Sequence, residues 1–87
     1  MSVSLLEMGQ GSVSLEFDDA DVIEVRATIA GQYGAIRVIE SAATYDEVEF
    51  GGERFLHYHE WTPCLISQSD KGREMLRLIA TSFPARP

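Results

Sequence analysis

Tyr45-Asp46-Glu47-Val48-Glu49-Phe50-Gly51-Gly52-Glu53-Arg54-Phe55-Leu56-His57-Tyr58 is the stretch whose reading decides the fold. Two runs rich in β-branched and aromatic residues flank a Gly-Gly pair. Two adjacent residues free to take positive φ are what a two-residue hairpin loop demands. With Gly51-Gly52 as the loop, Phe50 falls opposite Glu53, Glu49 opposite Arg54 and Val48 opposite Phe55. Glu47 then meets Leu56, Asp46 meets His57, and Tyr45 meets Tyr58. Side chains alternate along a strand. One face therefore collects Asp46, Val48, Phe50, Phe55, His57, His59 and Trp61, and the other Tyr45, Glu47, Glu49, Arg54, Leu56, Tyr58 and Glu60. The first face is the more apolar and is expected to lie against the core, with Glu49 and Arg54 as an outward cross-strand ion pair.

Upstream, Ser2-Val3-Ser4-Leu5 is echoed by Ser12-Val13-Ser14-Leu15 across Met8-Gly9-Gln10-Gly11, which predicts strands at about 2–8 and 12–17 joined as a hairpin. Asp18-Asp19-Ala20-Asp21 interrupts the alternation; it lacks the spacing and terminal Glu of a calcium loop and reads as a turn. Alternation resumes in 22–29, where Ile23, Val25, Ala27 and Ile29 share one face, so a strand is expected there. After a Gly-bracketed turn at 30–34, residues 35–42 read as its partner strand. Ile36, Ile39 and Ala43 also fit a helical stripe, so a helix within 36–47 is the alternative.

Downstream, Thr62-Pro63 ends the hairpin's second strand and Cys64-Leu65-Ile66 suits one more short strand. Ser67 or Ser69 then caps a helix whose apolar stripe runs through Met75, Leu76, Ile79, Ala80 and Phe83, and Pro84 stops it. The expected architecture is one α+β domain spanning 1–87, a meander-like antiparallel sheet of about five to seven strands with one C-terminal amphipathic helix packed on it.

Composition sets the functional limits. Fourteen carboxylates face seven Lys and Arg, a net charge of −7. The excess is concentrated before Arg54, and the C-terminal part is mildly basic. Such a chain repels polyanions, so direct binding of nucleic acid is not expected, while basic partners are favoured by long-range attraction. The lone Cys64 forms no internal disulfide, and the N-terminus has neither a basic region nor a long apolar run. Both point to a reducing, cytoplasmic setting and away from a membrane.

No motif names a reaction. There is no phosphate-binding loop, dinucleotide fingerprint, CxxC pair or Ser-centred elbow. Cys64 lacks a glycine-rich nest for an oxyanion and reads as a small buried hydrophobe. Glu47 and Glu49 flank a hairpin turn, where water keeps them ionised and unsuited to general acid work. Neither an independent enzyme nor a cofactor is expected. His57 and His59, two apart on one strand face, with Asp46 across from His57, have a spacing able to place two imidazoles and a carboxylate on one metal; the simpler reading is a pair of core-edge histidines, His57 bonded to Asp46.

What remains is surface. Tyr45, Glu47, Glu49, Tyr58 and Glu60 interleave aromatic area with charge, a combination that suits a protein partner with a basic surface. The physical logic is that of small acidic inhibitors, such as immunity proteins, antitoxins and phage inhibitors, that cover the cationic groove of a nucleic-acid enzyme. Carboxylates serving that purpose should be free of the chain's own arginines. The alternatives are a small metal- or ligand-binding protein using His57 and His59, and a subunit that self-associates, for example as a homodimer, through an open strand edge.

Overall fold

The computed structural model describes residues 3–7, 11–59, 62–67 and 69–83. In chain order it forms β1 (Val3–Glu7), β2 (Val13–Phe17), α1 (Val22–Tyr33), β3 (Arg37–Ser41), β4 (Tyr45–Phe50), β5 (Glu53–Tyr58), β6 (Cys64–Ser67) and α2 (Asp70–Ala80). All six strands belong to one sheet of order β1-β2-β6-β5-β4-β3, and every neighbouring pair is antiparallel. This is the expected α+β class. The chain makes a hairpin, crosses the sheet through α1 to the far edge, and meanders back until β6 pairs with β2.

The Gly-Gly hairpin has the register read from sequence at all six positions, from Phe50 opposite Glu53 to Tyr45 opposite Tyr58. Gly51 and Gly52 take φ of 60° and 80°, the two successive left-handed residues that match the twist of the flanking strands. The first hairpin also forms, with Leu5 directly opposite Leu15. Residues 37–41 are strand rather than helix, but they pair with β4 and not with residues 22–29 as expected.

Residues 22–29 are a correction: they form the first two turns of α1, not a strand. Val25 and Ile29 are buried, Val22 and Tyr33 pack beside them, and Ile23 is left 81% exposed. The spacing 22, 25, 29, 33 is a helical stripe hidden inside a β-like alternation. Asp19–Asp21 precede it as a single 3-10 turn with Asp18 extended before it, bringing carboxylates to the positive end of the α1 dipole. The described residues therefore form two α-helices, where one was expected.

Both helices pack on the same sheet face. Val13, Leu15 and Phe17 of β2, Val48 and Phe50 of β4, Phe55 of β5 and Leu65 of β6 meet Val25 and Ile29 of α1 and Met75, Leu76 and Ile79 of α2. Phe50 and Phe55 stack at 4.1 Å with their planes 3° apart. Helix α2 begins where Ser69 accepts the Gly72 N–H at 3.0 Å, so Ser69 is the cap. Arg77, near its other end, bonds Glu7 of β1 at 3.2 Å. Helix α2 lies over β1, β2, β6 and β5, and α1 lies over β4. No described helix is long and apolar enough to cross a membrane.

Candidate interaction face and histidine pair

Because both helices share one face, the other face of the sheet has no helix on it among the described residues. Strand pairing arranges its side chains in rows. One row runs Ser4, Glu16, Cys64, Tyr58, Tyr45, and the next Leu6, Ser14, Ile66, Leu56, Glu47, Glu40. A third holds Arg54, Glu49 and Arg37. Tyr45, Glu47, Glu49 and Tyr58 thus share the outward face assigned to them from sequence. Glu60 and Trp61 lie outside the described residues. The tyrosine rings stand 5.3 Å apart, tilted by 36°, so each limits the other's rotamers. An aromatic pair already held in place loses little conformational freedom on meeting a partner.

The charges are arranged differently from the simplest reading. Glu49 is taken by Arg37 of β3, and Arg54 reaches diagonally to Glu47 at 3.4 Å instead of to Glu49 opposite it. Two of the face's carboxylates are therefore balanced by the chain's own arginines. Both arginines are well exposed, and pairs of this kind contribute only a few tenths of a kcal/mol. Glu16 and Glu40, which the local pattern did not single out, have no ion-pair partner among the described residues and give this face its net negative charge. Their position depends on β2 pairing with β6 and β3 with β4, long-range facts that no local motif announces.

A shallow cleft of about 200 Å³ opens on this face between Glu47, Arg54, Leu56, Ile66 and Ser69. It is smaller than the roughly 300–1,000 Å³ of pockets that enclose a small ligand. Cys64 is half-buried in the tyrosine row. Burial pushes its thiol pKa up, Glu16 adds to the rise, and the Ser14 hydroxyl and the Tyr58 backbone oppose it. The thiol is thus held protonated, the opposite of what a nucleophile requires.

His57 and His59 project from the helix-covered face into different surroundings. His57 is buried against Phe17, with ring centroids 6.1 Å apart, and its Nε2 has no hydrogen-bond partner among the described residues. His59 is exposed and lies 3.8 Å from the Asp46 carboxylate. The carboxylate expected to bond His57 thus lies near His59, because His57 turns inward beneath α1. Burial chiefly, then Arg26, hold the His57 pKa below its ordinary value; Asp46 raises it and His59 lowers it. The two rings stand edge to face at 6.3 Å. Among the described residues no group of three or more His, Cys, Asp or Glu is placed to hold a metal ion. No protein-family model, curated protein or solved structure matches this chain.

Proposed function

We propose that this domain is a non-catalytic binding module that engages a protein partner through its open sheet face, with a basic patch on the partner as the complement. The observation that supports the reading is the paired Tyr45 and Tyr58, set in a row with Glu16 on a face no helix covers. Tyrosines supply contact area with a polar tip, and Glu16 and Glu40 supply attraction that the chain's own arginines do not cancel. Glu47 and Glu49, expected as contacts, are paired with Arg54 and Arg37 and are not free of the chain's own arginines, so the charge in this reading rests on Glu16 and Glu40. An inhibitor that covers the cationic groove of a nucleic-acid enzyme fits this chemistry, because it occupies positions that phosphates otherwise fill.

The test is capture from the native host with tagged protein, followed by association kinetics with the purified partner. Glu16→Lys with Glu40→Lys should slow association and flatten its salt dependence, and Tyr58→Ala should speed dissociation. Unchanged rates in both variants remove this face as the binding surface.

A further inference from the structure

Strand β3 closes one edge of the sheet, and all five of its residues are exposed. Val38 lies opposite Val48 on the helix-covered face, yet Val48 is fully buried and Val38 is 49% exposed. Helix α1 lies over β4 and leaves β3 open. Ile39 beside it is also exposed. A strand edge offering unpaired N–H and C=O groups beside two large apolar side chains is a template for another strand.

A bulge decides which strand fits. Pairing with β4 shifts between Val38 and Glu40, so Ile39 is an extra residue. In a regular strand, residues three apart point to opposite faces. Here the bulge returns Glu40 to the face of Arg37, with Arg37 opposite Glu49 and Glu40 opposite Glu47. Along the edge the residue order reads cation, then two apolar positions, then anion, with the cation and the anion on the outward face and Val38 on the other. Inverted about its midpoint, that order becomes its own complement.

We propose that β3 pairs with β3 of a second copy, antiparallel, about a two-fold axis between Val38 and Ile39. Each Arg37, paired with Glu49 of its own chain but still well exposed, then also meets Glu40 of the other copy, and each Val38 meets Ile39. Every contact occurs twice, as in any isologous interface, and the two sheets join into one continuous sheet. A shortened strand, a bulge and charged residues are also the devices that guard an edge. A guard of single sign, however, repels every incoming strand, whereas one cation and one anion in this order accept the inverted copy and mismatch other registers. The pairing leaves the Tyr45–Tyr58 row and Glu16 open but draws on Glu40, which it shares with the partner-binding reading above; Val38→Lys, which touches neither Glu16 nor the tyrosines, separates the two.

Sedimentation velocity from micromolar to near-millimolar protein should show reversible monomer–dimer exchange that weakens with salt. Arg37→Glu or Glu40→Arg alone places like charges together twice per dimer and should raise the dissociation constant about tenfold. The double variant Arg37→Glu/Glu40→Arg should bring it back toward the wild-type value, with far-UV circular dichroism confirming that each variant is folded. Val38→Lys, at a half-exposed position outside both ion pairs, should abolish the dimer. A monomer throughout the range overturns the proposal, as does a dimer indifferent to the single charge reversals, a double variant that fails to recover, or one that survives Val38→Lys.

Discussion

Replacing Gly72 by alanine should destabilise this protein, although intrinsic helix propensity favours alanine by about 1 kcal/mol inside a helix. Gly72 is the third residue of α2 and donates its N–H to the Ser69 cap. A Cβ there would overlap Ser67 Oγ outright, and would lie 2.7 Å from Ser69 Oγ and 3.0 Å from Ser67 Cβ. Ser67 cannot swing away, because it is buried at the end of β6 and its hydroxyl accepts the Ser69 N–H at 3.3 Å. Overpacking of this kind costs about 1–3 kcal/mol, and displacing the cap costs about 1 kcal/mol more. Subtracting the propensity gain leaves a net loss of about 1–3 kcal/mol, or roughly 5–20 °C in Tm for a domain of this size. Urea denaturation followed by circular dichroism measures it as a lower midpoint with an unchanged slope. Ser67→Gly should cancel much of the loss when combined with Gly72→Ala, since it removes the atoms in the way. A single variant as stable as the wild type, or more so, would refute the close approach of β6 to the first turn of α2.

Three further outcomes follow from other packed positions. His57→Leu should flatten the pH dependence of stability on the acid side. A buried imidazole whose pKa is depressed binds its proton more readily in the unfolded chain, so stability present above the ordinary value of 6.5 is lost as pH falls below it; parallel stability curves for variant and wild type would remove His57 as the cause. Gly51→Ala should cost more than Gly52→Ala, by about 1 kcal/mol. Both residues have positive φ, but only at Gly51 does a Cβ meet the Met75 and Tyr33 side chains, at 2.6 and 3.0 Å; equal losses by denaturant midpoint would deny that contact. Cys64 should react slowly with a disulfide reagent at mildly alkaline pH, and Glu16→Gln should speed the reaction by removing a charge that disfavours the thiolate; a rate already equal to that of the denatured protein would contradict the burial.

Legibility in the sequence follows the range of the interactions that decide each element. The Gly51-Gly52 hairpin is specified by neighbours in the chain, so its register and the shared face of Tyr45, Glu47, Glu49 and Tyr58 can be read without a structure. Helix α2 is equally local, with a serine cap before it and an apolar stripe along it. Residues 22–29 are different, because Ile23, Val25, Ala27 and Ile29 satisfy a period of two while Val22, Val25, Ile29 and Tyr33 satisfy a helical one. Propensity favours the strand, and tertiary structure overrides it. Strand β2 takes β1 on one side and β6 on the other, so no sheet position beside it remains for the next segment. The same long-range pairing puts Glu16 and Cys64 beside Tyr58, which is why the face could be half read and not completed. His57 and His59 share a face by periodicity, but only the position of α1 makes one a core residue and the other a surface one.

The two open surfaces have a common origin in the number of helices. Six strands about 4.8 Å apart make a sheet about 24 Å wide between its outermost axes. Two helices with side chains, each about 10 Å across, cover about 20 Å of it. Among the described residues, one whole face and one edge of the other are therefore left without a helix. Helix α2 takes β1, β2, β6 and β5, α1 takes β4, and β3 is the strand left over. A face without a helix does not by itself mark a binding surface, since two helices are too few to cover both sides of a six-stranded sheet. The discriminating feature is what the sequence places on it. A solvated edge needs only charge of any sign, and a solvated face needs no paired aromatics. Arg37 and Glu40 brought to one side by a bulge, and Tyr45 with Tyr58 in ring contact, are more than solvation requires. Those two arrangements, rather than exposure or net charge, single out β3 and the tyrosine row for mutation.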